Sequence, residues 1–229
     1  MEIYFILVGA ARGENVGAAA RAMKTMGFAN MRLVASDAHQ SDQARWVAHG
    51  AQEILEQAES FDSVNEAVAD MDLVIATTAR RRGHCQQYLN PVELCQQLRD
   101  KQQNLARVAI LFGREESGLT NQELEQADLL TYLPLKVSYP SLNLGQAIML
   151  YSYELSSLED LEELPAEEID SGQIHALKHK SATLLRELDF SEDEALSQWL
   201  IQKLPLLNSR ELKMAHSLCN RLKEKLENS

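Results

Sequence analysis

Residues 112–124 read FGREESGLTNQEL and follow directly on the apolar run RVAIL at 107–111. A short run of aliphatic and β-branched residues is the pattern of a strand buried on both faces. The chain then passes one Arg and two Glu between Gly113 and Gly118, and glycines permit turn conformations or close backbone approach. Thr120 followed three residues later by Glu123 predicts a capping box and the start of a helix. A strand that runs through a polar turn into a helix is the repeating unit of an α/β sheet, whose ligands bind beyond the carboxyl ends of the strands. Glu115 and Glu116 are two carboxylates, but neighbours in sequence usually point apart. The more economical expectation is that one Glu holds an Arg in position while loop amides bind a ligand.

The unit recurs outward from this stretch. Residues 2–9 (EIYFILVG), 31–35 (MRLVA), 72–78 (DLVIATT) and 129–134 (LLTYLP) predict further strands. Between them, NVGAAARAMKTMGF predicts a helix with Asn15 as N-cap and Gly27 as its stop. SVNEAVADM, NPVELCQQLRDK and TNQELEQAD each open with a capping residue or an early Pro. The expected fold is an α/β domain with a mostly parallel sheet over residues 1–158, closed by a long helix from about Asn143 to Ser157. An acidic linker, EDLEELPAEEIDSG in character, spans 159–171, and 172–229 shows only helical periodicity. There Leu177, Leu184, Leu185 and Leu188, then Leu196, Trp199, Leu200 and Leu204, then Leu218, Leu222 and Leu226 mark apolar stripes, and Ser191 with Glu194 predicts another capping box.

Composition bounds the function. The chain has 229 residues, 45% hydrophobic and 24% charged, enough for a sizeable core. No apolar run approaches the roughly 18 residues of a membrane span, and the start MEIYFILVGAARGEN lacks a basic n-region, so a cytoplasmic protein without membrane contact is expected. Cys85, Cys95 and Cys219 form no C-x-x-C pair, which suggests neither a disulfide framework nor a metal site. The net charge of −12 argues on its face against a polyanionic partner. It divides evenly, with 13 basic against 19 acidic residues in 1–155 and 9 against 15 in 156–229.

Three segments place polar or conformationally special residues where a strand ends. In GAARGENVGAAARAMKTMGF (9–28), Val16, Ala19, Ala20, Met23 and Met26 share one side of a helix, while Gly17, Arg21 and Lys24 share another. Gly17 then leaves open space one turn before Arg21, where a phosphate or developing oxyanion is favoured near a helix N-terminus. The second segment is FGREESGLTNQEL. In the third, YPSLNLGQAIMLYSYEL (139–155), Pro140 fixes the entry, Ser141 and Asn143 offer capping oxygens, and Gly145, Ala147 and Ser152 keep the helix slim for close packing.

Taken in order, N-x-G-A-x-x-R, F-G-x-E-x-x-G-L and S-L-N-L resemble the three motifs of the SpoU branch of the SPOUT RNA methyltransferases, and within it the TrmJ and LasT-like tRNA methyltransferases. The resemblance covers about residues 2–155 and weakens in the tail. It implies S-adenosyl-methionine-dependent methyl transfer to a ribose 2′-hydroxyl, with tRNA, at the first nucleotide of the anticodon loop, as substrate. It also implies a trefoil knot, which connectivity rules would not predict, and a homodimer with its cofactor pocket beside the subunit interface. By position, Thr77, Thr78, Ala79, Gly113, Leu133, Pro140, Ser141 and Leu142 would line that pocket. Arg21 would be catalytic, together with Ser141 and Asn143, and Glu115 would orient Arg21 or the polar groups of the third motif. A guanidinium is rarely deprotonated, so Arg21 suits electrostatic stabilisation rather than general base catalysis. RNA contacts would fall to Arg12, Lys24, Arg80, Arg81 and Arg82, and no metal is implied.

Other functions fit less well. Strand 2–9, Gly17 and Asp37 resemble a dinucleotide fingerprint, but the glycines run G-x-x-x-G-x-x-x-G rather than G-x-G-x-x-G. No G-K-[ST] occurs, which excludes a P-loop. A non-catalytic RNA-binding or regulatory member of the same fold, and an rRNA substrate in place of tRNA, stand as the alternatives.

Overall fold

A computed structural model describes residues 1–79, 88–136, 142–158, 171–191 and 194–227. The chain runs β1 (Glu2–Val8), α1 (Gly13–Thr25), β2 (Asn30–Val34), α2 (Asp42–Val47), α3 (Gln52–Glu56), β3 (Glu59–Phe61), α4 (Val64–Ala67) and β4 (Leu73–Thr77). It continues through β5 (Tyr88–Leu89), α5 (Pro91–Lys101), β6 (Arg107–Phe112), α6 (Asn121–Leu124), β7 (Leu129–Thr131) and α7 (Leu144–Ser156) to the tail helices α8 (Ser171–Glu187), α9 (Ala195–Lys203) and α10 (Ser209–Glu227). The strands form one sheet in the order β3-β2-β1-β6-β4-β7-β5, and every pairing is parallel.

Five of the seven strands coincide with the apolar runs. β3 is three residues long and its Glu59 and Ser60 are exposed, while β5 is two residues long, so neither shows a hydrophobic pattern. Alternation along the strands divides the core between two faces. Phe5, Leu7, Ile110 and Phe112 pack with residues of α1, α2, α3, α5 and α7, whereas Ile6, Val8 and Leu111 pack with those of α4 and α6. Phe112 holds the first layer together, stacking on Phe5 at 5.9 Å between ring centroids and taking the edge of Tyr151 of α7 at 5.6 Å. The Tyr151 hydroxyl, pushed up by burial, meets the Thr131 hydroxyl at 3.1 Å.

Helix ends follow the capping chemistry with two exceptions. Asn90–Glu93, Thr120–Glu123 and Asn143–Gln146 form capping boxes, and Gly27 (φ +88°) ends α1 in a Schellman turn, its N–H donating to Lys24 O while Phe28 N donates to Met23 O. α1 starts three residues earlier than its sequence suggests. Arg12 is the N-cap and Asn15 lies inside the first turn, because the Asn15 side chain is engaged elsewhere. The Ser191 capping box is also absent: Glu194 is the N-cap of α9 without a side-chain bond, and Ser191 accepts from Glu194 only through its carbonyl.

The tail joins the main core through Ile174, Leu177, Leu184, Leu204, Leu206 and Leu212, while Leu188, Leu196, Trp199, Leu218 and Leu222 of the expected stripes stay exposed. It docks against the ends where strands begin. Asp128, just before β7, takes the Lys178 ammonium of α8 at 2.7 Å and the Val74 amide at 2.9 Å. Asp72, just before β4, accepts from the amides of Ala106 and Arg107 and lies 3.8 Å from His175. Asn104 donates to the Leu207 carbonyl.

Burial raises the Asp128 carboxyl above its ordinary value, and Lys178 opposes that shift. Replacing Lys178 with Ala leaves a buried carboxylate without its cation, which should lower the unfolding free energy at neutral pH by about 3 kcal/mol. A raised folded-state pKa favours folding at low pH and loses that contribution as pH rises through it. The deficit of Lys178→Ala should therefore shrink on acidification, measured by denaturant midpoints across pH. An equal deficit at every pH would show that the pair does not govern docking of α8.

Candidate active site

Because all seven strands are parallel, their carboxyl ends share one edge, opposite the edge where α8 docks. Gly9, Thr78, Gly113 and Tyr132 each follow the last residue of a strand there. The Thr77 hydroxyl donates to Leu111 O at 2.8 Å and the Thr78 amide to Thr131 O at 2.9 Å, which ties β4 to both neighbours at this end. Ala79 is exposed, and Leu133 and Leu142 are half-buried. Pro140, Ser141, Arg80, Arg81 and Arg82 lie outside the described residues.

The turn after β6 closes on itself. Arg114 and Gly118 exchange backbone hydrogen bonds, Gly118 is left-handed at φ +70°, and a side chain on Gly113 would collide with the backbone of Gly118 and Leu119. The Arg114 side chain lies across Gly9, where an added Cβ would come within 2.7 Å of Arg114 Nε. Its guanidinium donates two parallel bonds, both 3.0 Å, to Glu123. Burial alone would raise the Glu123 carboxyl, but Arg114 and the Thr120 amide outweigh it and hold Glu123 low. The Arg–Glu pair of this loop is therefore Arg114 with Glu123, not with either of the adjacent glutamates.

Glu115 is left for a different task. Asn15 Nδ2 of α1 donates to Glu115 Oε1 at 2.7 Å, Asn143 Nδ2 donates to Asn15 Oδ1 at 2.6 Å, and the Gly145 amide of α7 donates to Asn143 Oδ1 at 2.8 Å. A carboxylate only accepts, so Asn15 must present its NH₂ to Glu115, which leaves its oxygen for the NH₂ of Asn143. One side-chain chain thus joins all three segments singled out in the sequence. Glu115 orients the third segment and makes no bond to Arg21. Asn15, buried at 8% exposure, is the site residue that sequence reasoning missed: its capping chemistry gave it a sufficient local role, and only its place in N-x-G-A-x-x-R hinted at another.

Arg21 stands exposed on α1, but not beside open space. The missing side chain of Gly17 is occupied by the backbone of α2, since a Cβ there would collide with the Ala44 carbonyl. Lys24 forms an ion pair with Glu53 of α3, so its charge is already compensated, while Arg12 is exposed at the start of α1. Among the described residues no group of acidic, His or Cys side chains is arranged to hold a metal.

Gly145 lets α7 press on α1, as its small residues suggested: an added Cβ would lie 2.7 Å from Ala18 Cβ. Gly145→Ala should cost about 1–3 kcal/mol by overpacking and pull Asn143 off Asn15. In an Ala18→Gly background the same change should cost much less. Equal costs in the two backgrounds, read from denaturant unfolding, would show that this contact does not set the spacing of the helices.

Comparison with known proteins identifies the family. Residues 2–153 match the SpoU rRNA methylase family, and residues 171–226 match the C-terminal domain of the tRNA/rRNA methyltransferase LasT. The uncharacterized tRNA/rRNA methyltransferase LasT of Escherichia coli (strain K12) is 45% identical over 226 residues, 99% of either chain. The tRNA (cytidine/uridine-2'-O-)-methyltransferase TrmJ of Photorhabdus laumondii is 40% identical over 153 residues, 67% of this chain and 63% of the relative. The crystal structure of TrmJ from Z. mobilis ZM4 superposes with a TM-score of 0.70 at 31% identity, covering 97% of this chain and 100% of that one. The chain belongs to the SpoU rRNA methylase family and is a methyltransferase.

Proposed function

We propose that the protein transfers the methyl group of S-adenosyl-methionine to a ribose 2′-hydroxyl of tRNA, at the first nucleotide of the anticodon loop. The observation that carries this is the Glu115–Asn15–Asn143 chain, which locks the three motif-bearing segments into one assembly on the ligand-binding side of a parallel sheet. The 2′-O chemistry and the tRNA substrate are supported by the activity named for the TrmJ relative.

The residues at the strand ends fit such a cofactor. Thr77, Thr78, Ala79, Gly113, Leu133 and Leu142 are a neutral set of small, apolar and hydroxyl-bearing residues, suited to the faces and edges of an adenosine. Pro140 and Ser141 complete it by position in the sequence. When bound, S-adenosyl-methionine supplies the methyl group, carried on a sulfonium. The protein's own contribution is alignment and charge. Glu115, Asn15 and Asn143 fix the floor against which the ribose is held, and positioning of this kind accounts for a large share of a rate enhancement. A guanidinium is a poor base, so Arg21 stabilises the developing alkoxide and an adjacent phosphate while the hydroxyl proton passes to water.

The proposal includes a trefoil knot and a cytoplasmic homodimer. Leu150 and Tyr153, exposed on α7 at 40% and 63%, provide apolar surface for a partner subunit. No described helix is long and apolar enough to cross a membrane.

The test is transfer of labelled methyl from S-adenosyl-methionine to bulk tRNA, followed by nucleoside analysis. A 2′-O-methyl nucleoside should form with the wild type and not with Arg21→Ala, while cofactor affinity stays nearly unchanged. Strong loss of cofactor binding in Arg21→Ala would remove it from its catalytic role. Asn15→Ala should lower turnover about 100-fold by misplacing the assembly, and Asn15→Asp, which sets a second carboxylate against Glu115, should do no better. Cofactor binding without transfer to any RNA would favour a non-catalytic RNA-binding member of the fold, and transfer to rRNA alone would replace the substrate.

A further inference from the structure

Three arginines are held by carboxylates: Arg32 by Glu59 and Asp70, Arg107 by Glu2 and Asp70, Arg114 by Glu123. Those at α1 and α2 are not. Arg12, Arg21 and Arg45 are exposed, and none has a carboxylate partner among the described residues. α2 is seated on α1 through the buried Ala44 and Ala48, whose backbone fills the space at Gly17. Two residues on from Ala44, half a helical turn away, Trp46 points outward and is 75% exposed, more than any other large apolar side chain described. Arg45 precedes it, and His49 lies exposed one turn further on.

An indole left in water forfeits the stabilisation that its burial would bring, so an uncovered Trp beside Arg45, with Asp42 one turn before it as the acidic side chain of α2, marks a surface for a ligand with a flat face and a negative charge for Arg45 to meet. Unpaired nucleotides have both features, because their bases stack on aromatic rings while arginines take the phosphates. Bases within a duplex are already stacked and cannot reach the ring. α2 lies directly against the helix that carries Arg21, with Trp46 on the side of α2 turned away from the buried Ala44. A second copy of this chain, itself at −12, offers less electrostatic complement to the three unpaired arginines than RNA does.

We propose that Trp46 stacks on an unpaired base of the RNA substrate near the methylated ribose, with Arg45 and Arg12 holding the flanking phosphates. This rests on the RNA methyltransferase function proposed above. It gives α2 the task of selecting single-stranded over duplex RNA.

The chain has two tryptophans, so Trp199→Phe leaves Trp46 as the sole indole reporter. In that variant, a short RNA hairpin with an unpaired loop should quench the emission, and a blunt duplex of equal length should not. Trp46→Ala should raise KM for tRNA about tenfold with kcat changed less than about twofold, and Trp46→Phe should restore most of the loss. Unchanged KM in Trp46→Ala, with methyl transfer intact, overturns the stacking role and leaves the proposed activity standing. A change in sedimentation of Trp46→Ala at unchanged KM overturns it too, since a second copy then covers the ring. Wild-type protein that neither binds nor methylates any RNA overturns both.

Discussion

A carboxylate can accept hydrogen bonds but cannot donate them, and that asymmetry organises the site. Glu115 forces Asn15 to present its amide nitrogen, Asn15 in turn forces Asn143 to do the same, and the Asn143 oxygen is left to cap α7 at Gly145. Each amide has one orientation compatible with its neighbours, so segments 100 and 128 residues apart are placed with a defined polarity. The Gly145 N–H, which can only donate, sets the same polarity from the other end of the chain, and the partly buried setting makes the choice costly to undo.

The sheet makes this arrangement possible and keeps it separate from the tail. Parallel pairing brings every βα turn to one edge, where Arg114 and Glu123 shape the turn after β6 so that Glu115 is free to face α1. At the other edge Asp72 and Asp128 satisfy backbone amides of the strand entries, and Asp128 also receives Lys178. α8 is thereby fastened where the strands begin. The exposed α10 face around Met214, Leu218 and Arg221 remains outside the core.

Much of this was legible in the sequence where a local rule suffices. Five of the strands are apolar runs, the Thr120–Glu123 capping box, the caps at Asn90 and Asn143 and the Gly27 stop are short motifs, and the closeness of α7 to another element followed from Gly145. What escaped depends on partners distant in the chain or on elements too short to show periodicity. Gly17 is small because of α2, a six-residue helix with no visible repeat, so the space beside Arg21 that the sequence suggested is filled. Asn15 had an adequate local explanation as a cap and lost it only when Glu115 and Asn143 appeared on either side. Glu123 had one as well, and its second bond, to Arg114, is set by the closure of the 114–118 turn.

Net charge was the most misleading quantity. A value of −12 implies repulsion of a polyanion only if the charges are spread evenly, and over distances beyond about 8 Å at physiological salt they act locally. Here acidic side chains are spent on particular cations: Asp70 alone meets both Arg32 and Arg107, Glu123 meets Arg114, and Asp128 meets Lys178. Those pairs are nearly neutral at a distance. The arginines of α1 and α2 without a carboxylate partner then contribute to the local potential together with the exposed Glu14 and Asp42 of the same helices, whatever the total. An acidic protein can therefore present a cationic surface to RNA when its fold uses carboxylates to neutralise the cations it needs for structure and leaves the others bare.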